Sequence, residues 1–387
     1  MIDFTLTDEQ QMLIEMTHNF VEKEMLPHEE TLERTDTLPP KLAASLKKRA
    51  IELGLHACNL PEEVGGGGLD AVSVMLIEKE LGRTSLALAE CAHRPLNILA
   101  SCEGEQVKKF LEPTIRGEKR DCIAMTEPGA GSDLRGMKCK AELDKDEWII
   151  NGEKHFISQA SISDYCVLFA ATGEDETDKG LKKRISAFLV DFNDHGVEVA
   201  PGYKNVSHRG YTNNILRFDN ARIPQWRIMG PEGDGFRIVN QWLGPTRLTV
   251  AATCVARAER AFEIALNYSA TREQFGQKIG KFQGISFELA DMATEIKMAN
   301  LMLLETAWKI DQGIVTPEDC AMTKLFCSEM LSRVADQSIQ TVGGMGLMED
   351  LPLERIWRDA RLERIWDGTS EIQRHIISRG LLRPLEK

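Results

Sequence analysis

The hydrophobic pattern of this chain changes its period twice, and this order of patterns constrains the fold more than any other feature. Up to about residue 120, apolar residues recur at helical spacing, as in Leu13, Met16 and Phe20. From about 121 to 230, short apolar runs such as 148–150 lie between turn-forming residues, which is typical of strands. Helical spacing then returns in longer segments. Helices, strands and helices in this order predict an α+β multidomain chain and not a parallel βαβ sheet.

Three domains are predicted from this order: an N-terminal α-helical domain at 1–120, a middle antiparallel β-barrel or sandwich at 121–232, and a C-terminal helical bundle at 233–387. Thr7, followed three residues later by Gln10, has the pattern of a capping box that begins a helix. There is no GxGxxG unit, so a Rossmann nucleotide site is not expected. The longer predicted helices are 40–53, 71–81, 246–271, 282–312 and 317–342.

Four consecutive glycines at 65–68 interrupt the first helical region. A phosphate-binding loop of the Walker type requires a preceding strand and a following Gly-Lys-Ser or Gly-Lys-Thr, and neither is present. The glycines therefore predict a flexible connection.

The charge and the cysteines exclude several classes of protein. A net charge of −13 argues against binding to nucleic acid or to an anionic membrane surface. The nine cysteines occur singly, without metal-ligand spacing, which indicates reduced thiols and no metal site. No apolar run is long enough to span a membrane, and no leader pattern is seen at the N-terminus. We expect a soluble cytoplasmic protein, or one of the mitochondrial matrix after processing.

The segment 125–133, Met-Thr-Glu-Pro-Gly-Ala-Gly-Ser-Asp, is the first candidate for chemistry. Gly129 and Gly131 leave the backbone bare where it can approach a flat or phosphorylated ligand. Thr126 and Ser132 add hydroxyl groups, and the N–H groups of a glycine-rich turn suit an anion. From composition alone, a plain turn explains this segment equally well.

Four further segments extend the pattern, and together the five strings closely resemble the acyl-CoA dehydrogenase family. The resemblance covers about 370 residues in the order helices, strands, helices. It implies a homotetramer built as a dimer of dimers, a C-terminal four-helix bundle, and FAD near a subunit boundary. The four further strings are 151–158 (Asn-Gly-Glu-Lys-His-Phe-Ile-Ser), 272–283, 340–347 and 358–374.

The resemblance also assigns cofactor contacts. One subunit is expected to contact the flavin and pyrophosphate, a neighbour to reach the same FAD, and the segment after Gly368 to meet the adenosine side. The first group is Ile123, Met125, Thr126, Gly131, Ser132, Phe156 and Ser158; the second is Arg272, Phe275, Phe282, Gln340, Gly343 and Gly344; the third is Thr369 and Glu371.

The implied reaction oxidises an acyl-CoA thioester to the 2,3-enoyl-CoA and passes electrons to an electron-transfer flavoprotein. A carboxylate removes the α-proton while the β-hydride goes to flavin N5. The family most often has Glu where this chain has Asp367, and some members place the Glu where Thr246 stands here. Asp367 is therefore the predicted base. Because its side chain is one methylene shorter, two alternatives stay open: a nitroalkane oxidase-like flavin oxidase, and an acyl-CoA lyase or desulfinase.

Four residues are candidates for substrate contact by the same resemblance. Ser132 and Arg247 are expected along the CoA side, and Gly368 is also expected to contact the substrate. Arg94 lies in the region that forms the wall of the acyl pocket, where it either binds a polar or acidic group of the substrate or is simply ion-paired. His208 and Tyr211 are unusual for the family, and we expect them to have a packing role.

Overall fold

The computed structural model describes residues 5–177 and 180–386, and its first part is helical. Thr7 and Gln10 each accept the other's backbone N–H at 3.1 Å, so the predicted capping box is confirmed. The helices of this part are α1 (Asp8–Phe20), α2 (Glu29–Thr35), α3 (Pro40–Glu52), α4 (Ala71–Leu81), α5 (Leu86–Ala89) and α6 (Glu112–Ile115).

The four-glycine segment is a tight turn and not the flexible connection that the sequence predicted. The N–H of Gly67 donates to the carbonyl of Ala57 at 3.0 Å. A Cβ atom on Gly67 would lie 2.7 Å from the Cα of Cys58, and one on Gly66 would lie 2.2 Å from the carbonyl oxygen of Leu60. The glycines are needed because two stretches of backbone touch here, and the contact fixes the segment 57–60.

The middle part of the chain is one curled sheet of eight strands. They are β1 (Asp121–Ala124), β2 (Lys140–Asp144), β3 (Glu147–Ser158), β4 (Tyr165–Thr177), β5 (Gly180–Asp191), β6 (Val197–Pro201), β7 (Asn213–Pro224) and β8 (Ile228–Met229). Their order in the sheet is β6-β7-β3-β2-β4-β5-β8, with β1 paired to β4. Most neighbouring strands are antiparallel, as predicted, whereas β4 pairs in parallel with β1 and, at one position, with β2.

Both faces of β4 and β5 are buried over residues 165–170 and 185–190, which explains why these two strands read as continuous apolar runs. Along β4, Tyr165, Val167 and Phe169 belong to a core shared with the N-terminal helices and the start of the C-terminal part. The alternate residues Cys166 and Leu168 belong to a second core inside the curl of the sheet. This alternation follows from the two-residue period of a strand.

The C-terminal part contains three long helices and two shorter ones. The predicted helices 282–312 and 317–342 are confirmed to within one residue at each end. The helix predicted at 246–271 begins earlier, at Gly235, because Ile238 and Val239 bury against the sheet and this packing continues the helix through Pro245. The elements are α7 (Gly235–Thr271), the hairpin β9 (Glu273–Gln274) and β10 (Gln277–Lys278), α8 (Gln283–Asp311), α9 (Pro317–Val342), α10 (Leu353–Glu363) and α11 (Ser370–Leu382).

Helix α7 is the central element of the whole chain. It packs against α4, α8, α9 and α10, and it also meets β5. Small residues such as Ala251, Ala252 and Ala258 are fully buried and allow the neighbouring helices to approach closely. None of the helices within residues 5–177 and 180–386 is long and apolar enough to cross a membrane.

Candidate active site

Asp367 lies in the short turn between α10 and α11. Its backbone is left-handed, with φ of 51°, and Gly368 follows with φ of 91°. Gln373 donates its side-chain amide to the carbonyls of Asp367 and Gly368 at 3.1 and 2.8 Å, and Lys324 Nζ donates to the Gly368 carbonyl at 3.0 Å. Both of these side chains are fully buried, so the turn is fixed from behind. Left-handed backbone outside glycine is uncommon and is often found at functional sites.

The Asp367 side chain faces a cavity of about 250 Å³. Burial raises the pKa of this carboxyl to about 6, although Lys324, Arg247 and the Thr246 hydroxyl act in the opposite direction. A carboxyl with this pKa is a stronger base than an ordinary aspartate and is still largely ionised near neutral pH. The Thr246 hydroxyl thus interacts directly with the Asp367 carboxylate.

A buried charged cluster lies directly behind the Asp367 turn. His208 stacks on Trp366, with ring centroids 5.2 Å apart, and its ring nitrogens lie 3.4 Å from Asp359 and 3.3 Å from Glu363. Glu363 also accepts hydrogen bonds from Trp366 Nε1 and Arg257, both at 2.6 Å. Although burial opposes charge on His208, the two carboxylates raise its pKa above the ordinary value. The expected packing role of His208 thus includes an ionic component.

The cavity wall beside Asp367 is made by the C-terminal helices and the sheet. Trp242, Thr246 and Val250 of α7 line it, together with Ile123 of β1 and Ser158 at the end of β3. The predicted cofactor residues Ile123 and Ser158 are therefore brought to the same space as the predicted base.

Tyr211 lies between the cavity wall beside Asp367 and the wall that the N-terminal domain contributes. It lines the cavity and interacts with the Ser158 hydroxyl. Burial is the main cause that raises the pKa of Tyr211, and the carboxylates of Glu90 and Asp367 raise it further. The cavity thus continues from Asp367 to residues of the N-terminal domain.

The N-terminal domain contributes a wall that is strongly charged. Arg94 Nε and Nη2 donate to the two oxygens of Glu78 at 2.6 and 2.8 Å, and Nη1 donates to the Ala89 carbonyl at 3.3 Å. Arg120 Nη2 donates to the Glu90 carboxylate at 3.1 Å. All four charged side chains line the cavity. Arg94 is therefore at the predicted place, but its guanidinium group is already paired.

The segment 125–133 is anchored by a buried lysine of β3. Lys154 Nζ donates to the Met125 carbonyl at 2.9 Å and to Glu127 Oε1 at 2.7 Å. The Glu127 carboxylate in turn accepts the N–H groups of Lys138 and Cys139. An ion pair that is buried and hydrogen-bonded in this way holds a loop in a single conformation.

The surface next to this segment fits a flat ring joined to phosphates. Phe156 has a left-handed backbone with φ of 56°, is 52% exposed, and its ring centroid lies 5.3 Å from that of Tyr203. Gly129 and Gly131 have open space where a Cβ would be. Exposed aromatic rings beside bare backbone suit a dinucleotide with an aromatic ring system. Thr126 is half-buried here and Ser132 is exposed.

The remaining predicted cofactor residues do not line this cavity in the described chain. Phe275, at the turn of the β9–β10 hairpin, is 94% exposed and lies 6.2 Å from Phe282, measured between ring centroids. Their position on the outer surface agrees with a role toward a neighbouring subunit, which stays a prediction. The exposed members of this set are Arg272, Phe275, Gln340, Gly343, Gly344 and Glu371, whereas Phe282 and the N-cap residue Thr369 are half-buried.

Two of the predicted substrate residues are not at the cavity wall. Arg247 is buried behind it, where burial lowers its pKa and its Nε has no hydrogen-bond partner among the described residues. Ser132 is exposed outside the cavity. Gly368 belongs to the Asp367 turn itself.

The sequence did not reveal several other charged and polar groups of the cavity, among them Glu78, Glu90, Asn59 and Arg120. One signal was present for Glu78. It lies on the apolar face of α4, next to Met75 and Leu81, where a carboxylate is unexpected unless it has a buried partner.

Comparison with known proteins identifies the family. Models of the N-terminal, middle and C-terminal domains of acyl-CoA dehydrogenase match residues 7–118, 122–221 and 233–382. The chain belongs to the acyl-CoA dehydrogenase family. It is 38% identical to a probable acyl-CoA dehydrogenase, YngJ, of Bacillus subtilis, over 99% of this chain and 100% of that one.

Solved structures agree with this assignment. Butyryl-CoA dehydrogenase from Megasphaera elsdenii matches with a TM-score of 0.90 at 31% identity, covering 99% of this chain and 100% of that one. A chain described under an electron-transferring flavoprotein of Acidaminococcus fermentans matches with a TM-score of 0.88 at 32% identity, covering 99% of this chain and 100% of that one. An acyl-CoA dehydrogenase of Bacillus anthracis complexed with FAD matches with a TM-score of 0.88 at 30% identity, covering 98% of this chain and 67% of that one.

The chain is therefore an FAD-dependent oxidoreductase that acts on acyl-CoA. Its nine cysteines are all buried free thiols. Within residues 5–177 and 180–386, no group of three or more His, Cys, Asp or Glu side chains is arranged to hold a metal ion.

Proposed function

We propose that this acyl-CoA dehydrogenase oxidises its substrate between C2 and C3 of the acyl group, with Asp367 as the base that removes the C2 proton. The observation that carries the proposal is the position of Asp367 in a rigid left-handed turn at the cavity, together with its pKa of about 6. Exclusion of water by bound ligands raises the basicity of a carboxylate further. Asp367 Oδ is the atom that receives the proton.

The same turn also offers a donor for the thioester oxygen. Among the hydrogen bonds between described residues, none uses the Asp367 N–H as donor. Removal of the C2 proton places negative charge on the thioester oxygen, and a backbone N–H that is already in position stabilises this charge without reorganisation. Lys324 and Gln373 keep the peptide groups of the turn in place through the Gly368 carbonyl.

Bound FAD supplies the acceptor for the hydride that leaves C3. On this chain, Met125, Thr126, Phe156 and Ser158 are the residues proposed to hold the flavin, with the pyrophosphate over Gly131 and Ser132. The exposed ring of Phe156 and the open backbone of the segment 125–133 support this placement. We further propose that the electrons pass to an electron-transfer flavoprotein, in line with the structural match to a chain described under such a protein.

A homotetramer is part of the same proposal. Helix α8 exposes the large apolar side chains of Phe287, Met298, Leu301 and Trp308, and exposed apolar surface often marks an interface between subunits. The exposed Phe275 is proposed to reach the FAD of a neighbouring subunit, as are Arg272, Phe282, Gln340, Gly343 and Gly344. Thr369 and Glu371 are proposed to meet the adenosine side, and Arg247 and Ser132 the CoA side.

Anaerobic mixing of the FAD-loaded protein with a panel of acyl-CoA thioesters tests the proposal. Bleaching of the flavin absorbance by a thioester, followed by slow reoxidation in air, is the expected result. A protein that bleaches with none of the thioesters, and that consumes oxygen rapidly with a nitroalkane, contradicts the proposal and indicates an oxidase.

A further inference from the structure

The cavity that receives the acyl group has a polar wall where a fatty-acyl chain requires an apolar one. We propose that the acyl group carries a hydroxyl, or a similarly small neutral group that donates a hydrogen bond, and that Asn59 and Glu90 recognise it. This inference rests on the proposed function and names the class of substrate that the same site takes. Its support is the charge balance of the wall and the hydrogen-bonding groups that the protein leaves without a partner.

The charge balance disfavours a second carboxylate on the substrate. Three carboxylates line this part of the cavity, on Glu78, Glu90 and Asp121, and two guanidinium groups, on Arg94 and Arg120. Each guanidinium group is already bonded to a carboxylate, at 2.6–2.8 Å for Arg94 and 3.1 Å for Arg120. A substrate carboxylate would have to break one of these pairs inside a buried site, which leaves a protein carboxylate without its partner.

The third carboxylate, on Asp121, already has a hydrogen-bond partner at each oxygen. His93 Nε2 lies 2.5 Å from Asp121 Oδ1, and the N–H of Leu96 donates to Oδ2 at 2.9 Å. Burial lowers the pKa of His93, while the ring and the Leu96 N–H lower the pKa of Asp121 against the effect of burial. Both Asp121 oxygens are therefore occupied, and His93, held against Asp121, offers no free cation to a substrate carboxylate.

Several acceptors in the same wall have no donor. Asn59 Nδ2 donates to the Pro95 carbonyl at 2.8 Å and to Asn97 Oδ1 at 2.5 Å, which fixes the orientation of the amide and leaves Asn59 Oδ1 buried without a partner among the described residues. His93 Nδ1 is also buried without one. Glu90 Oε1 lies 3.8 Å from Arg94 Nη2, beyond hydrogen-bond distance, on a side chain that is 24% exposed. A buried acceptor such as Asn59 Oδ1 is costly unless a ligand or water supplies the donor.

A hydroxyl group meets these conditions better than an alkyl group or an ammonium group. It can donate to Asn59 Oδ1 or Glu90, and its oxygen can accept from Arg120 Nε, a buried donor of this wall that lacks a partner among residues 5–177 and 180–386. An ammonium group has no lone pair for Arg120 and would lie beside two guanidinium groups. An alkyl chain displaces water from the wall and leaves all of these groups unpaired.

The first test is a binding measurement with thioesters of matched length. Asp367→Asn protein loaded with FAD, which should not turn over, is titrated calorimetrically with 5-hydroxypentanoyl-CoA, hexanoyl-CoA and glutaryl-CoA. We expect the hydroxyacyl thioester to bind about 10-fold or more tighter than hexanoyl-CoA, which corresponds to one satisfied buried hydrogen bond, and glutaryl-CoA to bind most weakly. Equal or tighter binding of hexanoyl-CoA, or tightest binding of glutaryl-CoA, overturns the inference.

Variants of the wall provide the second test. Asn59→Leu in the same background should reduce the preference for the hydroxyacyl thioester to within about 2-fold while leaving hexanoyl-CoA binding unchanged or tighter. Glu90→Gln keeps the shape of the side chain and lowers the preference less, so it serves if Asn59→Leu fails to fold. Asn267→Leu, at an exposed position of α7 outside the cavity, is the control. A preference that survives both wall variants contradicts the assignment to Asn59 and Glu90.

Failure of the inference can be told apart from failure of the proposed function. If wild-type protein bleaches with alkyl thioesters and binds them as well as hydroxyacyl ones, the dehydrogenase proposal stands and only the substrate class is wrong. If none of the thioesters bleaches the flavin, the proposed function itself is wrong.

Discussion

The ammonium group of Lys324 donates a hydrogen bond of 3.0 Å to the carbonyl of Gly368, the residue that follows Asp367. Lys324 is fully buried in α9, and the positive charge also lowers the pKa of Asp367. One side chain thus fixes the turn that carries the proposed base and limits how far burial raises its pKa.

Asp367→Asn should abolish flavin reduction while FAD remains bound. Removal of a general base typically costs about 10²- to 10⁴-fold in rate, and the amide keeps the size of the side chain. The measurement is stopped-flow absorbance of the flavin after anaerobic mixing with the best thioester. Asp367→Glu is the companion variant and should keep partial activity, because it retains a carboxylate. A near-normal rate in Asp367→Asn would show that another group takes the proton.

The rate of flavin reduction should rise with pH through about 6 and level off above it. The reactive form of Asp367 is ionised, and its pKa is raised to about 6, so the ionised fraction grows as pH increases through that value. Rates measured across pH 5–8 under saturating substrate check this. Labelling the substrate with deuterium at C2 shows whether proton removal limits the rate. If it does and the rate is still independent of pH over this range, Asp367 is not the base.

Lys324→Met should move this pH profile to higher values. Because Lys324 lowers the pKa of Asp367, its removal leaves burial less opposed and the pKa rises above about 6. Thr246→Val removes a weaker influence of the same sign and should shift the profile by less. The pH midpoints of the two variants, compared with that of the wild type, are the measurement. A shift to lower pH in Lys324→Met would contradict the assigned electrostatics.

His208→Gln should destabilise the protein most at acidic to neutral pH. The pKa of His208 is raised in the folded protein, so its contribution is present below the unfolded value near 6.5 and is lost as pH rises through the higher folded value. Loss of one partner from a buried ionic cluster typically costs about 3–5 kcal/mol. Denaturant unfolding at several pH values gives the difference. His195→Gln, at a surface turn, is the control, and an equal loss at every pH would contradict the charged state of His208.

Phe275→Ala should weaken FAD retention without unfolding the chain that carries the change. The ring is 94% exposed, so its loss leaves the core intact, but in the proposed tetramer it contacts the cofactor of a neighbour. Flavin release during gel filtration is the readout. Leu181→Ala, another exposed apolar residue, should retain FAD as the wild type does. If Phe275→Ala and Leu181→Ala retain FAD equally well, Phe275 does not contact the cofactor.

The sequence predicted the features that depend on local patterns. Helices α8 and α9 followed from their apolar spacing, and the motif around Asp367 located the turn that reaches the cavity. The charged wall was not predictable, because Asn59, Glu78 and Glu90 meet only after α4 and its neighbouring loops pack together. Arg94 illustrates the difference. Its place in the cavity was expected, but its pairing with Glu78 depends on a contact across 16 residues that no local pattern specifies.

The tight turn at Gly66 and Gly67 has a consequence for how this enzyme can change its substrate. The turn fixes the segment 57–60, and Asn59 lies within it, so the position of the proposed recognition residue is set by backbone that never touches a ligand. A side chain added at Gly67 would press on Cys58, the residue before Asn59. Substrate selectivity can therefore change through substitutions at residues that do not line the cavity. Mutagenesis confined to cavity-lining positions would not detect such changes.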